Sequence, residues 1–183
     1  MLSTPRVASL NRLIRGLAFV VAIFAGLSAQ AGIKSERTLA AILKHTPAST
    51  IVATGEQIRA AEHAAASIPG AEAMWGVGES MAPLYSSRTA IVVAPIKFSD
   101  LRKGMTVVYV SRRGNMVCHS LTGDLPKGWI AQGVNNDEED DDLVTANNLV
   151  GVIVGAYSEM PSEFRTMLAK QLIAKGRLPA GQS

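Results

Sequence analysis

Three groups of residues in this chain could together do covalent chemistry on a carbonyl. The first is Ser80, within Trp75-Gly76-Val77-Gly78-Glu79-Ser80-Met81-Ala82-Pro83-Leu84. Gly76 and Gly78 permit backbone angles barred to other residues and leave room for another chain to approach. Pro83 fixes its own φ and pushes Ala82 towards extended geometry, which predicts a stiff turn at Ser80. A turn serine bonding its own backbone is the plain alternative. Serine is a weak nucleophile unless a base takes its proton. The second group supplies that base: His119, in Met116-Val117-Cys118-His119-Ser120-Leu121. An imidazole accepts a hydroxyl proton and returns it to a leaving amine near neutral pH. It also needs a partner to hold its tautomer, usually a carboxylate. The third group, Asp137-Glu138-Glu139-Asp140-Asp141-Asp142, offers six candidates, and composition does not choose among them.

These groups must be positioned by the elements around them. Ser35 to Lys44 reads as a short helix, with Ser35 as N-cap and Leu39, Ile42 and Leu43 on one face. His45 to Ser49 contains Pro47 and reads as a connector. Glu56 to Ile68 is an Ala-rich helix stopped by Pro69-Gly70, and His63 within it is expected to be solvated or packed. From Thr89 the pattern becomes β. Thr89–Ala94 and Met105–Ser111 are β-branched runs, and Met116–Leu121 returns as a hairpin partner after the Arg112-Arg113-Gly114-Asn115 turn signal. Gly123-Asp124 predicts another turn, followed by a short strand at Gly128–Ala131 and a closing strand at Asn148–Ala156. Gly151 and Gly155 mark a bulge or tight bend in that last strand. Pro161 to Lys175 reads as an amphipathic helix burying Phe164, Met167, Leu168, Leu172 and Ile173. The expectation is a mainly β domain with helical flanks, four or five strands closing around a core. Trp75 and Trp129 are expected in the core or in a groove wall.

The N-terminus has the pattern of an export signal. Arg6, Arg12 and Arg15 form a basic region, Leu17 to Leu27 is apolar apart from Gly26, and Ala29-Gln30-Ala31 offers a small-x-small cleavage pattern. That apolar run is shorter than the roughly 20 residues that span a bilayer. A membrane anchor at residues 17–27 is the alternative. Three of the 18 basic residues lie in this leader, leaving 15 against 15 acidic residues in the mature chain. A formally neutral chain gives no general attraction for nucleic acid or anionic lipid, so membrane contact is expected only if the leader is retained. The lone Cys118 excludes an intramolecular disulfide. No Cys/His spacing suggests a metal site, the acidic run lacks the glycine and alternation of a calcium loop, and no cofactor is expected.

Gly78-x-Ser80-Met81-x-Pro83 resembles the nucleophile box of the signal peptidase I superfamily, which also contains the self-cleaving repressors of the bacterial DNA-damage response. Val117-Cys118-His119-Ser120-Leu121-Thr122-Gly123 is similar to the base strand of its histidine branch, found in archaea, spore-forming bacteria and the endoplasmic reticulum. Gln132-Gly133-Val134-Asn135-Asn136 followed by Asp140 resembles the third box, and Leu149-Val150-Gly151-Val152 the final strand. The similarity covers roughly Val77 to Val154. It implies a coiled all-β sheet and a Ser80–His119–Asp140 triad, with the Ser80 backbone N–H as oxyanion donor and Gly78, Met81 and Pro83 shaping the turn and groove. Four positions depart from the family pattern. Val134 stands where an aspartate is usual, Ser120 follows the base in place of arginine, Met105 replaces the aspartate of a Gly-Asp pair, and Gly78 offers no side-chain hydroxyl.

The chain thus divides into a signal peptide at 1–31, a helical N-terminal segment at 32–70, a β domain at 71–157, and a C-terminal helix and tail at 158–183. The function expected is that of an exported serine endopeptidase, periplasmic or extracellular, acting on a polypeptide laid along a strand edge beside Ser80. A non-catalytic peptide-binding module on the same fold and a self-processing protein are the rival readings. If the leader is removed after Ala31, N-terminal sequencing of the protein from its native host finds Gly32 first; an intact leader in the membrane fraction refutes this.

Overall fold

A computed structural model of the chain describes residues 35–159 and 163–180. Residues 1–34, 160–162 and 181–183, and with them the expected leader and Pro161, lie outside these. Among the described residues three α-helices and seven strands follow in order. They are α1 (Glu36–His45), β1 (Ser49–Ile51), α2 (Gln57–Ala65), β2 (Glu72–Trp75), β3 (Ala90–Ala94), β4 (Thr106–Val110), β5 (Met116–Leu125), β6 (Gly128–Gln132), β7 (Leu149–Ser158) and α3 (Glu163–Ala174). The strands form one sheet in the order β2-β3-β7-β4-β5-β6. Neighbours along that path are antiparallel, and β1 adds in parallel to the end of β7. The protein is mainly β with flanking helices.

The strands exceed the expected four or five because two were hidden. β1 lies where Pro47 signals a connector, and it pairs by only three residues, Ser49 to Ile51, with Ala156 to Ser158. β2 is a four-residue edge strand, too short to show an alternating pattern. β5 is also longer than predicted. Gly123-Asp124 is not a turn: a register shift between Leu121 and Gly123 leaves Thr122 unpaired, and the strand continues to Leu125. The chain reverses at Pro126-Lys127 instead, because Pro126 has no N–H to give a ladder. The expected irregularity in β7 is present as two bulges, beside Gly151 and beside Gly155.

Each helix is held by an apolar face. Ser35 caps α1 by accepting from the Thr38 N–H, and Ile42 and Leu43 are buried beneath the helix. They join Met81, Leu84, Tyr85, Ile91, Val93 and Ile153 in the largest core cluster, where Leu172 of α3 also sits. Truncating a side chain as buried as Ile42 costs about 2–5 kcal/mol. Met167, expected on the buried side of α3, is 40% exposed, and Ala169 takes the buried position with Leu172. A second cluster, with Leu101, Val107, Tyr109, Leu121, Ala131 and Val144, fills the other side of β4–β6. His63 is exposed on α2, which packs through Ala61 and Ala65 on β3. Among the described residues no helix is long and apolar enough to cross a membrane.

α1 docks closely on the turn before β4. Gly104 has φ +91°, and a Cβ there would lie 2.3 Å from the backbone C and O of Ala41. Gly114 has a similar φ of +80° but open space around it. The forced backbone alone costs about 1–3 kcal/mol for a side-chain-bearing residue. Urea unfolding therefore shows a clearly larger loss for Gly104→Ala than for Gly114→Ala. Equal losses mean α1 does not press on this turn.

Candidate active site

The site begins with strand alternation. Tyr109 and Val107 of β4 pair with Val117 and His119 of β5. Residues two apart point to one face, so Val107, Tyr109, Val117, His119 and Leu121 share the second core's side while Cys118 turns to the first. His119 is thereby almost buried, with 9% of its side chain exposed. Cys118 takes no part: burial pushes its thiol up to about 12, so it stays protonated.

The acidic run folds back over β6. The Asp140 N–H donates to the Ala131 carbonyl at 2.9 Å, and beyond it Val144 bridges to Trp129. This return places Asp140 Oδ2 2.6 Å from His119 Nδ1. Tyr109 donates its hydroxyl to the same oxygen at 2.7 Å. A carboxylate oxygen only accepts, so in the neutral form of this imidazole the bond puts the proton on Nδ1 and the lone pair on Nε2. Of the six carboxylates, Asp140 meets the histidine. Asp142 is engaged elsewhere, by the backbone N–H and guanidinium of Arg112 in the hairpin turn. Asp137, Glu138, Glu139 and Asp141 are exposed.

Ser80 reaches this corner through its backbone. Gly78 adopts φ +90°, and the chain then turns tightly through Ala82 N–H to Glu79 O and Leu84 N–H to Met81 O. Met81 and Leu84 are buried in the first core and anchor the turn, whereas Pro83, after a cis bond, is exposed. The Ser80 carbonyl accepts from the Asn135 N–H at 2.8 Å, and Asn135 Nδ2 donates to the Glu79 carbonyl at 3.2 Å. Gly133 lies so close that a Cβ would stand 2.7 Å from the Ser80 oxygen. The β5–β6 ladder ends at Ser120 and Gln132, the residues next to His119 and Gly133. The serine turn is thus clamped on the loop that leaves β6, whose neighbour in the sheet is the strand of His119. Among the described residues Ser80 Oγ is not hydrogen-bonded to His119, and no backbone carbonyl accepts the Ser80 N–H.

In the sequence Gly133 and Asn135 stand only as members of a box, and their work as a clamp on the Ser80 backbone is visible only in three dimensions. Tyr109 gave no signal beyond a β-strand aromatic. Val134, at a position where the resemblance implies an acid, is fully buried among apolar side chains. Trp129 is half-buried against the second core, while Trp75 is 45% exposed in the wall of a 490 Å³ groove with Gly76 and Val77. Among the described residues no three His, Cys, Asp or Glu side chains gather as a metal site would need. Comparison with family models, with curated proteins and with solved structures returned no match.

The loop that carries Asp140 is pinned two residues later at Asp142. The Arg112 backbone N–H most of all, with its guanidinium adding to it, holds the Asp142 carboxyl below its ordinary value of 3.8, against the opposing effect of burial, which is second in size to the backbone bond. A carboxyl held low in the fold stabilises fully above the ordinary value and stops doing so as pH falls through the lowered one. Hydrogen-exchange protection of the Arg112 amide should hold at every pH above 3.8 and fall below it. Protection already lost at neutral pH would mean the pin is absent in solution.

Proposed function

We propose that this chain is an exported serine endopeptidase of the signal-peptidase-like kind. The observation that carries the reading is the 2.6 Å contact of His119 Nδ1 with Asp140. It singles out one carboxylate of a run of six, the one that the sequence resemblance implies. A His–carboxylate pair and a glycine-flanked serine turn, both held by the loop that leaves β6, support acyl transfer.

In this reading Ser80 Oγ attacks the scissile carbonyl while His119 Nε2 takes its proton. Asp140 holds the imidazole in the working tautomer and stabilises the imidazolium that forms. His119 then gives the proton to the leaving amine, and water repeats the sequence to release the acyl group. The Ser80 N–H, without a backbone acceptor among the described residues, is the donor for the developing oxyanion. Catalytic hydrogen bonds in a resting site are often long and tighten when substrate is seated, which accommodates the unmade Ser80–His119 bond. The substrate is an extended peptide lying against the exposed segment Trp75 to Gly78, where Val77 is 90% exposed.

A serine-directed peptidyl phosphonate tests this directly. Labelling is expected for the native chain and should vanish in Ser80→Ala and His119→Ala, while His63→Ala labels normally. Asp140→Asn should slow peptide hydrolysis by orders of magnitude, about 10⁴-fold where such a triad is best understood. Asp141→Asn should cost far less. A native chain that binds peptide but neither labels nor hydrolyses would make this a peptide-binding module instead.

A further inference from the structure

We propose that Tyr109 is a positioning residue that holds the Asp140 carboxylate in one orientation and thereby fixes His119 in a single tautomer. As to rate, this rests on the peptidase reading; as to tautomer, it does not.

Asp140 lies on a loop, not on a strand, and its backbone is tied to β6 by one bond, from its N–H to Ala131. Its carboxylate can swing about the side-chain torsions unless something else holds it. Tyr109 supplies that hold. The ring is 1% exposed in the second core, on a strand paired on both sides, by β5 and by β7. It has no room to follow a moving partner. Its hydroxyl reaches Asp140 Oδ2 at 2.7 Å, the oxygen that His119 Nδ1 meets at 2.6 Å. Two donors from two adjacent strands therefore converge on one acceptor, and the carboxylate plane is set by both.

The surroundings leave Tyr109 in this role. Burial first, and the bonded Asp140 next, hold the phenol above its ordinary range, so it remains a donor. Asp142, the other carboxylate near the ring, is occupied by Arg112. The Cys118 thiol on the neighbouring strand stays protonated. Asp137, Glu138, Glu139 and Asp141 of the same loop are exposed to water. With the carboxylate set, a neutral His119 keeps its proton on Nδ1 and leaves Nε2 free to accept. With the carboxylate loose, the proton divides between the two nitrogens, and the Nε2–H share cannot act as base.

The test is Tyr109→Phe, which removes one oxygen atom and keeps the ring. Protein carrying ¹⁵N-histidine, examined at neutral pH, should show His119 as the pure Nδ1–H tautomer in the native chain and as a mixture in Tyr109→Phe. The turnover number should drop about tenfold to a hundredfold, the size of one hydrogen bond to a charged group, with KM unchanged. In an Asp140→Asn background the same change should add no further loss, because the phenol acts through that carboxylate. A Tyr109→Phe protein that keeps a single tautomer overturns the proposal, as do losses that simply add. Should Tyr109→Phe fail to fold, 3-fluorotyrosine introduced biosynthetically gives a stronger donor at the same place, and an unmoved His119 Nδ1 resonance then overturns it. A native chain that never labels with phosphonate, yet shows the tautomer change, sinks the peptidase reading and keeps this one.

Discussion

The structure around Ser80 depends on one backbone hydrogen bond, from the Asn135 N–H to the Ser80 carbonyl. It is short, at 2.8 Å, because Gly133 has no side chain to hold the two segments apart. Through this bond the turn at residues 78–84, which follows an edge strand, is attached to the loop that leaves β6. The same loop continues to Asp140. Ser80 and the Asp140 carboxylate are therefore held by opposite ends of one short stretch, Gly133 to Asp140, and His119 lies on β5, the strand that pairs with β6. The site also draws on β4, through Tyr109, and on the first core, where Met81 and Leu84 anchor the turn. It needs the β5–β6 ladder in register and the clamp closed.

Register is the second requirement. A slip of one residue between β4 and β5 would send His119 to the first core's side and bring Cys118 or Ser120 into its place. Buried hydroxyls resist such a slip. Thr106 and Ser120 lie opposite each other with their oxygens 2.9 Å apart, and Thr46 meets Thr106 at 2.8 Å. Breaking that chain in a dry interior would strand polar atoms without partners, at about 1–3 kcal/mol each. Specificity of pairing, more than strength of packing, is what these threonines and this serine contribute.

Much of this was legible in the sequence because it is written in short-range chemistry. Ser35 as an N-cap, the β-branched runs that became β3 and β4, and the Arg112–Asn115 turn all act through neighbours a few positions apart. The candidates Ser80 and His119 stood out by residue type. What escaped notice depends on partners far along the chain. β1 is too short to have a pattern, and it exists because β7 offers it an edge. β5 passes through Gly123-Asp124 since β6 pairs with it there, which local turn propensity does not register. Among six adjacent carboxylates residue type does not distinguish Asp140, which only the resemblance picked out, and Tyr109 is simply an aromatic in a strand until the path of the loop is known.

The position of β7 has a consequence for how this chain comes into being. β7 lies between β3 and β4, which do not touch each other, and it also carries β1. Among the described residues it is the last strand, at Leu149–Ser158. Until it has been made, β3 has no strand partner but β2, and no strand joins either of them to the β4-β5-β6 meander. The sheet therefore cannot be completed in the order of synthesis, and its closure depends on long-range pairings. A nascent chain shorter than about this length has no reason to hide its apolar strands from whatever holds it open.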